Sequence, residues 1–333
     1  MQTILQFIGL FILLILSFFG ANYMLNGDII LSGGISLTLV ILMYFLIEFL
    51  KKRKVQITKS KFSTGSILGW VLFTVLCIPS GLLIVHALNV EINAKKDLQG
   101  YANNIVSKNQ EVINLFQTEN KQYISETYLI ARNELESYVN SSNETVRDSI
   151  KTLLATSRFG IENLQEIDKT NFTNSAVALQ SALEIRSGNL LDSVSDRSAR
   201  VIENNAYLVE NWSRLRVVTS LQELENMLEK NLNQLNKFLV NENYKTNIFS
   251  NPNDPSNEVL AVLTDENNQL KIVKANSNLA SFSELWGQYK PYWLIIPVFI
   301  FFFLLLLPFM LEKTAGTYVG GDDEEIDKGG IEI

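Results

Sequence analysis

Residues able to do chemistry are scarce in this chain. His86 is the only histidine and Cys77 the only cysteine, and each lies in an uncharged apolar run. A serine triad, an HExxH zinc helix and a His-rich metal centre each lose their central imidazole. One cysteine permits no intramolecular disulfide and no Cys-based metal or redox pair. Carboxylates are plentiful, but no spacing isolates a catalytic pair. Asp265 and Glu266 share a turn with Asn267 and Asn268, which hints at calcium, yet the acidic loop with its glycine and distal Glu is missing. No phosphate-cradling glycine loop occurs. His86 reads as the polar tip of a membrane span, with a proton carrier as the alternative. Asn140, Asn143, Asn171 and Asn211 open Asn-X-Ser/Thr sites, which matter only in a host that glycosylates exported proteins. The reading is therefore not an enzyme, with no catalytic residues, no cofactor and no metal.

Charge carries more information than chemistry. Lys51, Lys52, Arg53 and Lys54, followed by Lys59 and Lys61, hold six of the 28 basic residues. Cations beside membrane spans resist translocation, so these six are the topology determinants and 51–66 is a cytoplasmic loop. Elsewhere acids prevail: 91–290 carries 20 basic and 26 acidic side chains, and 312–333 carries two and seven. With no other basic field, nucleic-acid binding by a charged surface is excluded.

Four apolar blocks frame that loop, and about 20 apolar residues suffice to span a bilayer. Residues 1–28 give a first span and a short outer turn, 29–50 a second span, 67–89 a third, and 281–311 a fourth. A cleaved signal peptide is the rival reading of the first block, but it would want cations where the chain has only Met-Gln-Thr. Glu48 is expected to pair with Lys51 and Lys52 at the interface, the alternative being an intramembrane proton site. Pro79-Ser80-Gly81 predicts a kink or a packing notch in the third span. Trp286, Tyr289, Tyr292 and Trp293 form an aromatic belt before the fourth. Both termini are then cytoplasmic, 90–250 is extracytoplasmic, and 312–333 is an acidic cytoplasmic tail, either solvated or docking a basic partner.

The extracytoplasmic stretch reads as helical and coiled-coil-like. Leu98, Tyr101, Ile105 and Val112 begin a 3–4 spacing that Ile124, Tyr128, Ala131, Leu135 and Tyr138 keep. Val146, Ile150 and Leu153 resume it after a polar patch. A corner falls at Ser157–Gly160. A second helix carries Ala176, Leu179, Leu183, Leu190 and Val194. A third, from about Ala199 to Val240, carries Val217, Leu221, Leu224, Leu228, Leu232, Leu235 and Phe238. Asn and Ser interrupt these seams, which favours a bundle over a free two-stranded coil. Residues 251–280 predict a Pro-broken loop and one small β-hairpin, Glu258–Thr264 with Gln269–Lys274. The expected fold is thus an all-α integral membrane protein with four transmembrane helices and that single hairpin. Two stripes are candidate partner faces: Ile124, Tyr128, Leu135 and Tyr138, and Leu221, Leu224, Leu228, Leu232, Leu235 and Phe238.

Two functional classes suit this layout. One is a structural subunit of a trans-envelope complex. The other is a membrane receptor that signals through a separate cytoplasmic partner, since its own cytoplasmic parts are a 16-residue loop and a 22-residue tail. A transporter is disfavoured by spans without polar pathways. Three N-terminal spans, the loop KKRKVQITKSK, a long Asn-, Ser- and Glu-rich helical region and one C-terminal span with an acidic tail resemble the TssN family. Those proteins are inner-membrane components of the type VI secretion systems of Bacteroidota. The resemblance covers the whole chain by layout, without a diagnostic motif. It implies a place among other membrane and periplasmic subunits anchoring a contractile machine. A homo-oligomer and membrane lipids, whose anionic headgroups attract the basic loop, are the further partners expected. It transfers no catalytic residue.

Overall fold

In lipid a backbone can satisfy its own polar groups as a helix, and four apolar runs do so here. A computed structural model of the protein describes residues 2–56, 64–156, 159–161, 166–241 and 282–311. Lys59, Lys61, the hairpin predicted at 251–280 and the acidic tail lie outside the described residues. Among those described, every regular element is helical. They run α1 Gln2–Met24, α2 Ile29–Gln56, α3 Thr64–Asn89, a π-helical turn Val90–Ala94, α4 Lys95–Asn140 and α5 Glu144–Leu154. After these come α6 Phe172–Glu210, α7 Val217–Asn241, α8 Phe282–Tyr289, a 3-10 turn Tyr292–Leu294 and α9 Ile295–Leu311. Thr3–Met24, Ile29–Lys54, the apolar start of the helical run Ile67–Asn140, and Tyr292–Leu311 are long and apolar enough to cross a membrane. The protein is a multi-pass, helical membrane protein.

The chain forms two units. The first joins Met1–Leu98, Trp212–Thr219 and Ala275–Ile333, and the second joins Gln99–Asn211 and Ser220–Lys274.

In the first unit α1 packs against α2, α3 and α9, and those three also touch one another. Leu10, Leu13, Met43, Ile47, Phe73, Val298, Phe302 and Leu305 fill the centre. Lipid is as apolar as leucine, so such helices associate through close fit more than through burial. Gly20 supplies the closest approach: a Cβ there would collide with the Leu83 carbonyl of α3. The motif in α3 resolves as a packing notch. Pro79 is exposed within an unbroken helix. Buried Ser80 donates to the Leu76 carbonyl at 2.9 Å. Gly81 lies against Phe302 and Val298 of α9. Asp28 opens α2 by accepting from the Leu31 N–H at 3.0 Å.

The second unit is a bundle in which α4 and α7 run parallel and α6 runs antiparallel to both. Tyr101, Asn109 and Phe116 of α4 meet Glu225, Asn231 and Phe238 of α7 in the same order. Along α6 the order reverses, with Asn205 bonded to Glu223 and Ser198 to Asn231. Two predicted boundaries change. The 3–4 pattern was expected to carry one helix through Leu153, but the helix stops at Asn140. Asn143 accepts from the Thr145 N–H at 3.0 Å and its own N–H donates to the Ser141 hydroxyl at 3.2 Å, so side chains take over what the helix would supply. In α5, Ile150 and Leu154 are buried while Val146 and Leu153 are exposed. The break expected near 195–199 is also displaced. α6 is one helix of 39 residues through Gly188 to Glu210, and the chain turns at Asn211–Arg216.

Candidate functional site

Helices alternate in direction through the first unit, which gives it two chemically distinct ends. One end gathers the start of α1, the end of α2, the start of α3 and the end of α9. Lys51 donates to Glu48 at 2.9 Å, and also to Gln6. The expected pairing of Glu48 is therefore present. Lys54 donates to the Phe309 and Met310 carbonyls at 2.8 and 3.0 Å, capping the last turn of α9 where the helix dipole is negative. Its ammonium also lies 5.0 Å from the Phe309 ring centroid, and Arg53 lies 5.3 Å from that of Phe49. Lys52 is exposed. Four of the six topology determinants thus tie α1, α2 and α9 together or stand at the rim of that end.

The other end is the candidate functional site. It is built from the close of α1, the π-helical turn, α8 and a loop segment, Trp212–Thr219, that takes in the turn between α6 and α7 and the first residues of α7. Fully buried Tyr23 donates to the Glu91 carboxylate at 2.6 Å. The Arg214 guanidinium meets the same carboxylate oxygen at 3.0 Å and sits 5.5 Å from the Phe19 ring centroid. Asn22 donates to the Arg214 carbonyl at 3.4 Å, and Lys95 stands over the Trp212 ring. Val217 and Val218 are fully buried, and Thr219 lies against Gly27 so closely that a Cβ on that glycine would sit 2.8 Å from its methyl. The loop is therefore clasped by the Arg214–Glu91 ion pair, the Asn22 bond to the Arg214 carbonyl and apolar packing, with Tyr23 holding the Glu91 carboxylate in place.

Backbone geometry sets this end apart. The π-helical turn falls where α3 leaves its apolar stretch, and such turns are frequent at functional positions. Among the described residues, the three non-glycines with positive φ are Asn26 at 54°, Trp212 at 52° and Lys290 at 45°, and all belong to this end. For a side chain as bulky as tryptophan this costs on the order of 1–3 kcal/mol and persists only when the surroundings over-determine it. Burial of Trp212 is that determinant. α8 closes the site. Asn89 donates to the Leu285 carbonyl at 3.4 Å, and Tyr289 donates to Asp97 at 2.8 Å. Burial, reinforced by the Asp97 carboxylate, holds the Tyr289 hydroxyl well above the ordinary phenol range, so it remains a donor. Of the predicted aromatic belt, Tyr292 and Trp293 are exposed, while Trp286 stacks on Phe282 and meets Tyr292 edge-on.

This constellation can hold a loop in place. The Glu91 carboxylate is committed to Tyr23 and Arg214 and that of Asp97 to Tyr289, and no group of three metal-ligating side chains occurs among the described residues.

The two stripes read as candidate partner faces fall in the second unit, where they make the bundle's own interior. Ile124, Leu135, Tyr138, Leu221, Leu224, Leu228, Leu232 and Leu235 are buried, and Tyr128 and Phe238 are half-buried. A stripe that faces two neighbouring helices is consumed by them, so only the edges at Tyr128 and Phe238 remain open to another chain. At the centre of the bundle lies a polar layer. Asn231 donates to Asn109 at 2.6 Å and to Ser198 at 2.7 Å, and Arg197 donates to Asn231 and Gln234 at 2.5 and 2.6 Å. These are the Asn and Ser residues that break the seams. Hydrogen-bonded polar groups of this kind fix register, since a slipped helix would orphan them.

Sequence reasoning missed Tyr23, Glu91, Trp212 and Arg214. The available signals were a lone acid immediately after a span and the run Asn211-Trp212-Ser213-Arg214-Leu215-Arg216 interrupting a helical pattern. Comparison of the chain with protein-family models, with curated proteins and with solved structures returned no match.

Proposed function

We propose that the protein is a structural and assembly subunit of a trans-envelope membrane complex, an inner-membrane component that anchors a type VI secretion machine, as its likeness to the TssN family implies. The observation that carries this reading is the clasped loop. Trp212–Thr219 interrupts the second unit and belongs to the first, so the chain passes between the units four times. A subunit that must hold a large helical region to the membrane under load gains from several covalent crossings, one of them tied by Arg214 to the Glu91 carboxylate that Tyr23 positions. On this reading the Lys51–Lys54 end faces the cytoplasm, both termini lie there, and the clasp and the bundle lie in the periplasm. Its partners are other membrane and periplasmic subunits, with a second copy of the chain among the candidates.

A receptor with a separate cytoplasmic signalling partner is the second reading, favoured by the helical run Ile67–Asn140, which leaves its span without a break. Purification from native membranes in mild detergent, with identification of what accompanies the chain, separates the two. Envelope subunits in fixed ratio support the anchor. A kinase, or ligand-dependent protection of the helical unit, supports the receptor, and recovery of the chain alone defeats both.

A further inference from the structure

Along the α1–α2 face of the first unit runs an open, almost wholly apolar groove of about 780 Å³, with Phe7, Phe11 and Leu14 facing Ile41, Tyr44 and Phe45. That volume lies in the range of small-molecule sites, about 300–1,000 Å³. Two observations bear on what would fill it. First, no lining residue is Gly, Ala or Ser. Seats for transmembrane helices are enriched in such residues, and this unit's own crossings use them, with Gly20 against Leu83 and Gly81 against Phe302. Second, the face of α2 that bears Tyr44 and Phe45 repeats two turns later as Lys51 and Lys52, about 10 Å along the axis. Lys51 is held there by Glu48 and Gln6, and Lys52 is exposed. An apolar trough under a basic rim matches one ligand chemistry, a hydrocarbon chain ending in an anion.

We propose that this groove seats an anionic glycerophospholipid of the leaflet at the basic end, with an acyl chain between Phe11 and Ile41 and its phosphate at the Lys51 and Lys52 ammonium groups. The site stands independently of the secretion-machine reading. Its test is native mass spectrometry of the full chain, offered phosphatidylglycerol and phosphatidylcholine with identical acyl chains. The wild-type protein should retain one phosphatidylglycerol with a preference on the order of tenfold. Lys52→Gln should cut that preference about fivefold while leaving phosphatidylcholine retention unchanged. Ile41→Trp, or Phe11→Trp should the first fail to fold, should fill the trough and lower retention of both lipids. Equal retention of the two lipids by the wild type, or an unchanged preference in Lys52→Gln, would overturn the proposal. So would disulfide-linked dimers of Phe11→Cys in a Cys77→Ser background, which would identify a second copy as the occupant.

Discussion

Removing the Glu91 side chain should release the Trp212–Thr219 loop. Tyr23 is fully buried beneath it, and its hydroxyl has the Glu91 carboxylate as acceptor at 2.6 Å. In Glu91→Ala that hydroxyl is stranded while the loop is closed and finds water only when the loop opens. A buried donor left without a partner costs about 1–3 kcal/mol. The lost ion pair adds at most about 0.5 kcal/mol, because the Arg214 side chain is 56% exposed and screened by solvent. Together they favour opening by about 2 kcal/mol, on the order of 30-fold in the open population. Limited trypsin digestion reads this directly. Arg214 and Arg216 are its targets; both are exposed, but buried Trp212 on one side and buried Val217 and Val218 on the other hold the segment down, so seating it in the protease requires local opening. With reclosing fast relative to cleavage, the rate follows the open population. Glu91→Ala should therefore be cut at this loop about 30 times faster than wild type. Adding Tyr23→Phe removes the stranded hydroxyl and should bring the rate back to within a few-fold of wild type, a non-additivity that mere loss of packing would not produce. Cleavage of Glu91→Ala at the wild-type rate, or a double variant cut as fast as the single, would refute the clasp.

The polar layer of the bundle makes a second prediction. Asn231→Leu strands the Asn109 side chain and leaves Arg197 only Gln234, costs about 2–3 kcal/mol, and should lower the thermal midpoint of the helical signal by about 5–10 °C in circular dichroism. Gly20→Val should force α1 from α3 at a cost of about 1–3 kcal/mol and reduce resistance to unfolding in SDS titration. Gly34→Val, which meets nothing within 4 Å, should leave that titration unchanged. Leu228→Glu buries a charge in the bundle interior, so far-UV dichroism should show loss of helix; a variant that stays folded would return Leu228 to the candidate partner faces.

Much of this architecture was legible because lipid imposes a strong rule. A run such as Ile295–Leu311 has only one way to satisfy its backbone, so composition alone yields a span. Glu48 was legible for a similar reason, since a lone acid one turn from Lys51 has an obvious partner. Helix ends in the bundle were less so. Asn140-Ser141-Ser142-Asn143 can interrupt a seam or end a helix, and the choice rests on whether its side chains bond to local backbone, as Ser141 and Asn143 do. The candidate partner faces fall within the bundle for a geometric reason: an apolar stripe reports that a helix buries a face, without saying whose helix covers it. The clasp was least legible. Tyr23 and Glu91 are 68 positions apart, and Arg214 comes from a loop 123 positions beyond Glu91, so no local pattern joins them.

The orientation of the chain in its membrane is the claim on which the functional reading rests, and reporter fusions measure it. A reporter joined after Arg53 should be active only in the cytoplasm, and one joined near Glu144 only outside it. A reversed pattern would place the Lys51–Lys54 end outside and the bundle in the cytoplasm, and would contradict the role of periplasmic anchor.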